Sequence, residues 1–288
     1  MKISQFIGGN IQIWLGLISG FILLAVFLHY ENNGVRISRY SYWDEKIPES
    51  FKGFKIVQIS DYHNTACLEE AIIKLTQGEN PDIIAITGDL LDSRSTDMPV
   101  ALNLAQRLCS IAPVYYVSGN HEARIINIQE FYNKLQNLGV ILLDEKKQML
   151  MRDNQYITIM GVSDPRSYVK EVDDQVTKKA FRNHLLTVNV MDDTFKVLLS
   201  HRPEFIHTYR DGKINLALTG HAHGGQFGIP FTDMGVYVPN QGLFPPYAAG
   251  MKKLDDTTEI ISRGLGNSIF PFRLFNRPEV VCVTFEEE

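Results

Sequence analysis

Lys55-Ile56-Val57-Gln58-Ile59-Ser60-Asp61-Tyr62-His63 is the stretch on which the fold turns. KIVQIS is an apolar, β-branched run of strand length, and it ends in an aspartate and a histidine two positions apart rather than in turn residues. The arrangement recurs. DIIAIT (82–87) runs into Gly88-Asp89, VYYV (114–117) into Ser118-Gly119-Asn120-His121-Glu122, FKVLLS (195–200) into His201, and LALT (216–219) into Gly220-His221-Ala222-His223-Gly224-Gly225. Between the early strands lie helical spacings: Leu68, Ala71, Ile72 and Leu75, then Ala101, Leu104, Ala105 and Leu108. Ile128, Phe131, Leu135 and Leu138 make a third, with Gly139 placed to end it. Strands alternating with helices imply βαβ units and a sheet covered on both faces. In the second half, 156–162, 235–238 and 280–285 also read as strands, with helices only near 171–187 and 203–210. The expected architecture is α/β: two packed β-sheets flanked by helices.

In open α/β sheets ligands sit beyond the carboxyl ends of the strands, so residues scattered from Asp61 to His223 are expected at one mouth. Five of the eight histidines (His63, His121, His201, His221 and His223) fall at these strand ends. A lone histidine after a strand is usually a hydrogen-bonded structural residue. Five of them, with Asp61, Asp89 and Asn120, point instead to metal ligation. Nitrogen and oxygen donors without thiolate suit Mn²⁺, Fe²⁺/Fe³⁺ or Zn²⁺, and this much imidazole disfavours a Ca²⁺ or Mg²⁺ cage. Seven donors exceed what one tetrahedral ion needs, but fit two ions sharing a carboxylate, typically about 3.5–4 Å apart.

These blocks resemble the calcineurin-like metallophosphoesterase superfamily, whose signature runs D-x-H, G-D, G-N-H-[DE], H, G-H-x-H. All five occur here in that order over residues 56–226. The resemblance implies a four-layer sandwich, with Asp61, His63 and His223 on one ion, Asn120, His201 and His221 on the other, and Asp89 bridging. It also implies that His121 faces the substrate phosphate. Two divalent charges lower the pKa of a bridging water, giving hydroxide that attacks phosphorus in line. His121 is expected to serve the leaving oxygen. Glu122 reads either as orienting His121 or as a helix cap. Tyr62, where the family commonly carries a smaller aliphatic residue, bears on local packing or substrate fit.

From Ile11 to Leu28 the chain is apolar and uncharged, and eighteen helical residues reach about 27 Å, close to a bilayer core. No small-x-small cleavage pattern follows, which favours an uncleaved single-pass anchor over a signal peptide. Positive charge flanks both sides, so orientation is weakly biased; a short leading tail leans toward an extracytoplasmic catalytic domain. The expected organisation is an anchor (1–28), a polar linker (29–50) and one catalytic domain (51–288). A net charge of −5 argues against a nucleic-acid partner, while bound metals can attract phosphate locally. Cys67, Cys109 and Cys282 form no CxxC pair and read as small apolar side chains.

The span, GHAHGGQ and the late RGLGNSIFPFRLFNRPE (263–279) together resemble membrane-associated bacterial metallophosphoesterases, some similar to UDP-2,3-diacylglucosamine pyrophosphohydrolases. That resemblance implies a phosphorylated small-molecule or lipid substrate and a place in lipid A synthesis. In the tail, Phe270, Phe272 and Phe275 interleave with Arg263, Arg273 and Arg277. They read as headgroup-dipping aromatics with Arg263 and Arg273 as substrate contacts, or else as a covering loop. Asp164-Pro165-Arg166 reads as a turn or as a border of the site. The alternatives are a general phosphodiesterase or phosphatase localised by its anchor, and an inactive scaffold, which the seven intact ligands disfavour.

Overall fold

The structure, a computed structural model, describes residues 2–170, 173–189, 193–238, 241–267 and 270–286. Helix α1 (Lys2–Asn33) is followed by β1 (Arg36–Tyr42), β2 (Lys55–Ile59), α2 (Glu69–Glu79), β3 (Ile83–Thr87), α3 (Met98–Cys109), β4 (Val114–Val117), α4 (Gln129–Asn137) and β5 (Ile141–Leu142). The second half runs β6 (Lys146–Arg152), β7 (Gln155–Gly161), α5 (Asp174–Val188), β8 (Lys196–Leu199), α6 (Ile206–Asp211), β9 (Leu216–Thr219), β10 (Tyr237–Val238), β11 (Gly242–Leu243), β12 (Gly250–Leu254), β13 (Thr257–Ile261) and β14 (Glu279–Phe285). Of the helix expected at 171–187, residues 171 and 172 lie outside the described residues.

Two mixed six-stranded sheets form, ordered β1-β14-β2-β3-β4-β5 and β12-β13-β9-β8-β7-β6. They pack face to face with helices on the outer surfaces, as expected from the sequence. Period-two alternation sorts the side chains between layers. Ile83, Ala85, Tyr115 and Val117 point into the core between the sheets, where they meet Ile157, Val197, Leu216 and Leu218. Ile84, Ile86, Val114 and Tyr116 point the other way, onto Ile72, Leu104, Leu108 and Phe131 of the helical layer. On the far side, Phe181, Leu185 and Tyr209 cover Leu198 and Ala217. Strands buried on both faces must be apolar throughout, which is why they read as continuous runs. Tyr62 is fully buried in the helical layer, so its role is packing.

Gln58 is a polar exception between the sheets. Its Nε2 donates to Thr87 Oγ1 (2.9 Å) and Thr219 O (2.8 Å), joining the ends of β3 and β9 beside the expected mouth. α4 ends as anticipated, with Gly139 at φ +94°. Residues 29–50 differ from the expected tether: Arg36–Tyr42 is an edge strand parallel to β14. Glu279, fully buried, accepts from Arg36 and Ser38 of that strand, which gives its charged side chains a reason to order there. α1 extends five residues past Leu28, to Asn33. Within it, Gln12–Asn33 contains an 18-residue window of mean hydropathy 2.1 and is long and apolar enough to cross a membrane.

Glu259, fully buried in β13, accepts from Thr219 Oγ1 (2.9 Å) and offers its second oxygen no donor. Burial pushes its carboxyl well above the ordinary value. Folding therefore keeps a proton that the unfolded carboxyl releases above about pH 4.3. This contribution is complete at lower pH and is lost as pH rises through the folded pKa. Glu259→Gln is expected to flatten the fall in stability between pH 5 and 8, as read by denaturant unfolding; an unchanged slope would show that the carboxyl is ionised in place.

Candidate metal centre

The carboxyl ends of β2, β3, β4, β8, β9 and β13 meet at one rim. Five residues there hold left-handed backbone: Asp61 (φ 52°), His63 (47°), Asp89 (51°), His221 (64°) and His223 (48°). Outside glycine this region is populated mainly by Asp, Asn and His, at about 1–2 kcal/mol each. The strain aims these side chains inward instead of along the strands. Gly119 and Gly220 permit the crowding, since a Cβ on the first would strike Asp89 Oδ1 and on the second Ser60 Oγ and Asp61 Oδ2.

Asp61, His63 and His223 form one buried cluster, and Asp61, Asp89 and His201 another, each with ligand atoms within 4.8 Å of one another. His223 Nε2 stands 3.2 Å from Asp61 Oδ1 and 3.2 Å from His63 Nε2. The two share Asp61, and Asp89 Oδ2, 3.3 Å from His201 Nε2, also reaches within 3.7 Å of His63 Nε2 in the first. Donors each about 2.0–2.2 Å from a shared ion stand roughly 3–3.5 Å apart, so these separations suit ligation. His201 Nδ1 donates to Thr87 O (2.8 Å), and Nε2, buried and without a hydrogen-bond partner, faces Asp89 Oδ2 at 3.3 Å; against burial, the Asp89 charge raises the ring to about 10, so a proton stands where a cation would sit. Asn120 Oδ1 is likewise buried and unpartnered, and both its neighbours touch Asp89. Unpaired acceptors are costly to bury, and a cation removes that cost. The donor set therefore fits a dimetal site.

Burial alone would raise the Asp89 carboxyl, but His201, 3.3 Å away, outweighs it by its charge and holds the carboxyl well below the ordinary range. Burial lowers His63 to about 3 and, with the charges of Arg202 and His201, lowers His221 as well. Both rings are thus neutral at pH 7, the form that ligates.

His221 packs edge-on to His201 (5.1 Å between centroids), and its backbone N–H donates to the Asp61 carboxylate. Arg202 Nη1 lies 2.7 Å from its Nε2. Arg202 is itself paired with Asp164, so Asp164 both caps its turn and braces His221 through the arginine. Glu122 takes neither expected role. Its carboxylate accepts from the backbone N–H of Asp89, Leu91 and Gly119, each at 2.9 Å, pinning the loop that presents Asp89. Burial and then the Asp89 charge push it up to about 8.

His121 Nδ1 accepts from Ser93 N (3.0 Å), so the proton of its neutral ring sits on Nε2, 4.0 Å from Asp89 Oδ2. Sequence reading missed Asp92, which clusters with His63 and His121; its only signal was a third acid three residues beyond Asp89. Arg263 and Arg273 are placed otherwise than expected. Arg263 bonds Asp233 (2.6 Å) and Asn276 (3.2 Å), and Arg273, fully buried, donates to the carbonyls of Arg263 (2.8 Å) and Gly266 (2.5 Å) behind His223. Excess guanidinium donors here satisfy loop carbonyls, not an open phosphate site.

The calcineurin-like phosphoesterase family model matches residues 54–225. A metallophosphoesterase of Caenorhabditis elegans is 28% identical over 96% of this chain and 57% of its own length. The uncharacterized metallophosphoesterase YkuE of Bacillus subtilis is 28% identical over 83% of this chain and 82% of its own. A zebrafish (Danio rerio) transmembrane protein with metallophosphoesterase domain is 22% identical over 84% and 55%. The chain thus spans little more than half the length of the nematode and zebrafish relatives. With more than half of its residues, and all five strand-end blocks, inside the matched region, the chain belongs to the calcineurin-like phosphoesterase family, hydrolases acting on phosphoester bonds.

Proposed function

We propose that this chain hydrolyses phosphoesters at a centre of two divalent ions, manganese, iron or zinc. Asp61, His63 and His223 would hold one ion, Asn120, His201 and His221 the other, and Asp89 would be shared. The observation that carries the reading is the pair of buried clusters joined at Asp61, with Asp89 Oδ2 3.3 Å from His201 of one and 3.7 Å from His63 of the other, and with His201 Nε2 and Asn120 Oδ1 lacking hydrogen-bond partners beside it. Two such ions supply a nucleophile from water at neutral pH and neutralise charge on the phosphoryl oxygens. The protein's own part is positional. Glu122 fixes the Asp89 loop, Thr87 O fixes the His201 tautomer, and Ser93 N fixes that of His121. His121 Nε2–H then donates to the leaving oxygen.

Chelation should abolish turnover of a chromogenic phosphodiester, and added Mn²⁺ or Zn²⁺ should restore it. Full activity in a stripped, chelated sample would refute the metal centre.

For substrate, the apolar helix favours a lipid-linked or nucleotide-sugar pyrophosphate, with UDP-2,3-diacylglucosamine the example that the tail resemblance suggests. Equal turnover of a diacylated UDP-sugar and its deacylated form would favour a general phosphodiesterase instead. The helix is proposed as a membrane anchor, a reading that the zebrafish relative's name supports. Removing residues 1–28 should release the chain from the membrane fraction. It keeps Glu31 and Asn32, which bond into the catalytic domain, so the soluble form should retain activity on a chromogenic ester. A truncated chain still pelleting with membranes would count against the anchor.

A further inference from the structure

The apolar helix enters the catalytic domain at the same end as the metal centre. β1 leaves α1 almost directly and runs parallel to β14, which is antiparallel to β2. The start of β1 therefore lies level with the end of β2, where Asp61 and His63 stand. The junction is bonded. Asn32 exchanges two hydrogen bonds with the Arg273 backbone (3.2 and 2.6 Å), Glu31 accepts from Asn276 N (3.1 Å), and Arg277 lies 4.1 Å over the Tyr30 ring. Asn276 in turn donates to His223 O at 2.6 Å, so a single residue separates the helix end from a ligand's backbone.

Beside this junction the domain exposes aromatic rings. Phe27, inside the apolar run, packs on Phe275 with 5.6 Å between ring centroids. Phe270, Phe272 and Phe275 are 43%, 43% and 49% exposed. Phe227, four residues after His223, holds the first two by ring contacts of 5.2 and 5.5 Å. Exposed aromatics grouped in this way mark an interaction surface.

We propose that this rim is seated in the headgroup region of the bilayer that α1 crosses, so that the metal centre opens at the membrane surface and acts on phosphoesters carried by amphiphiles. The substrate half rests on the phosphoester-hydrolase reading; the seating of the rim does not. Continuity decides for lipid over protein, because Phe275 is one ring contact from a helix of membrane length, and aromatic rings favour the interfacial depth.

The test uses the full chain in phosphatidylcholine vesicles with and without brominated acyl chains. Phe272→Trp is placed in a Trp14→Phe, Trp43→Phe background, and the reference is Trp14→Phe alone, which keeps Trp43. Trp43 follows β1, about 23 Å along the strand from the junction, and serves as the control away from the bilayer. Emission from position 272 should fall by half or more in brominated vesicles while Trp43 is unaffected. Equal emission in both vesicle types at position 272 overturns the seating and assigns the rim to a protein partner.

In a second arm, Phe270→Ser with Phe272→Ser should leave methyl p-nitrophenyl phosphate turnover unchanged and slow hexadecyl p-nitrophenyl phosphate about tenfold. Equal change on both esters overturns the amphiphile preference. If the wild type, loaded with metal, cleaves neither ester, the hydrolase reading fails while the quenching result stands by itself.

Discussion

Asp89→Asn is expected to remove about a thousandfold or more of the turnover of a chromogenic phosphodiester, equivalent to roughly 4 kcal/mol of transition-state stabilisation. The amide has the carboxylate's shape and can still accept from His121 N, which the native Oδ1 does at 2.8 Å. The fold should therefore survive, as circular dichroism would show. What disappears is the negative charge that faces the imidazoles of His63, His121 and His201 within 4.0 Å. An amide nitrogen there would instead donate toward His201 Nε2, occupying the lone pair meant for a cation. Elemental analysis should find fewer than two ions per chain. Retention of both ions with turnover within about tenfold of wild type would show that Asp89 is not shared between them.

Arg273→Met is expected to act on stability first. The guanidinium is fully buried and satisfies the carbonyls of Arg263, Gly266 and Asn276, with Nη2 also 3.3 Å from His223 Nδ1. Removing it strands three acceptors away from water, at a cost of about 3–5 kcal/mol. In a domain of this size that lowers Tm by roughly 10 °C. Had Arg273 been the substrate contact that its sequence context suggested, Tm would hold and KM alone would rise. Thermal unfolding and saturation kinetics on one preparation separate the two outcomes.

Five of the rim strands, β2, β3, β4, β8 and β9, were legible in the sequence because burial on both faces requires unbroken apolar runs, each ending in a chemically conspicuous residue. Edge strands were not. β6 (KKQMLMR), β12 (GMKKL) and β1 (RISRYSY) mix charge into their pattern, as edges that resist further pairing tend to do. β13 (TTEII) was hidden by Glu259, an acid that composition alone places outside. At the site the ligand types were readable from strand-end spacing. The left-handed backbone, the clustering of Asp92 with His121, and the bracing of His221 by Arg202 depend on approach between distant loops, which no local pattern records. The arginines of the tail misled for the same reason: spacing gives their charge, but not the carbonyls that consume it.

β14 lies between β1 and β2, though nearly the whole catalytic domain separates it from β1 in the chain. On the ribosome α1 and β1 emerge early, yet β1 has no partner until residues 279–285 follow. Glu279, which gathers Arg36, Ser38 and the Arg263 amide, arrives with them. A nascent polypeptide stalled before Glu279 would hold every residue of the metal centre while leaving the β2 edge bare for proteases. Insertion of β14 thus couples closure of this sheet to its fixation on the helix.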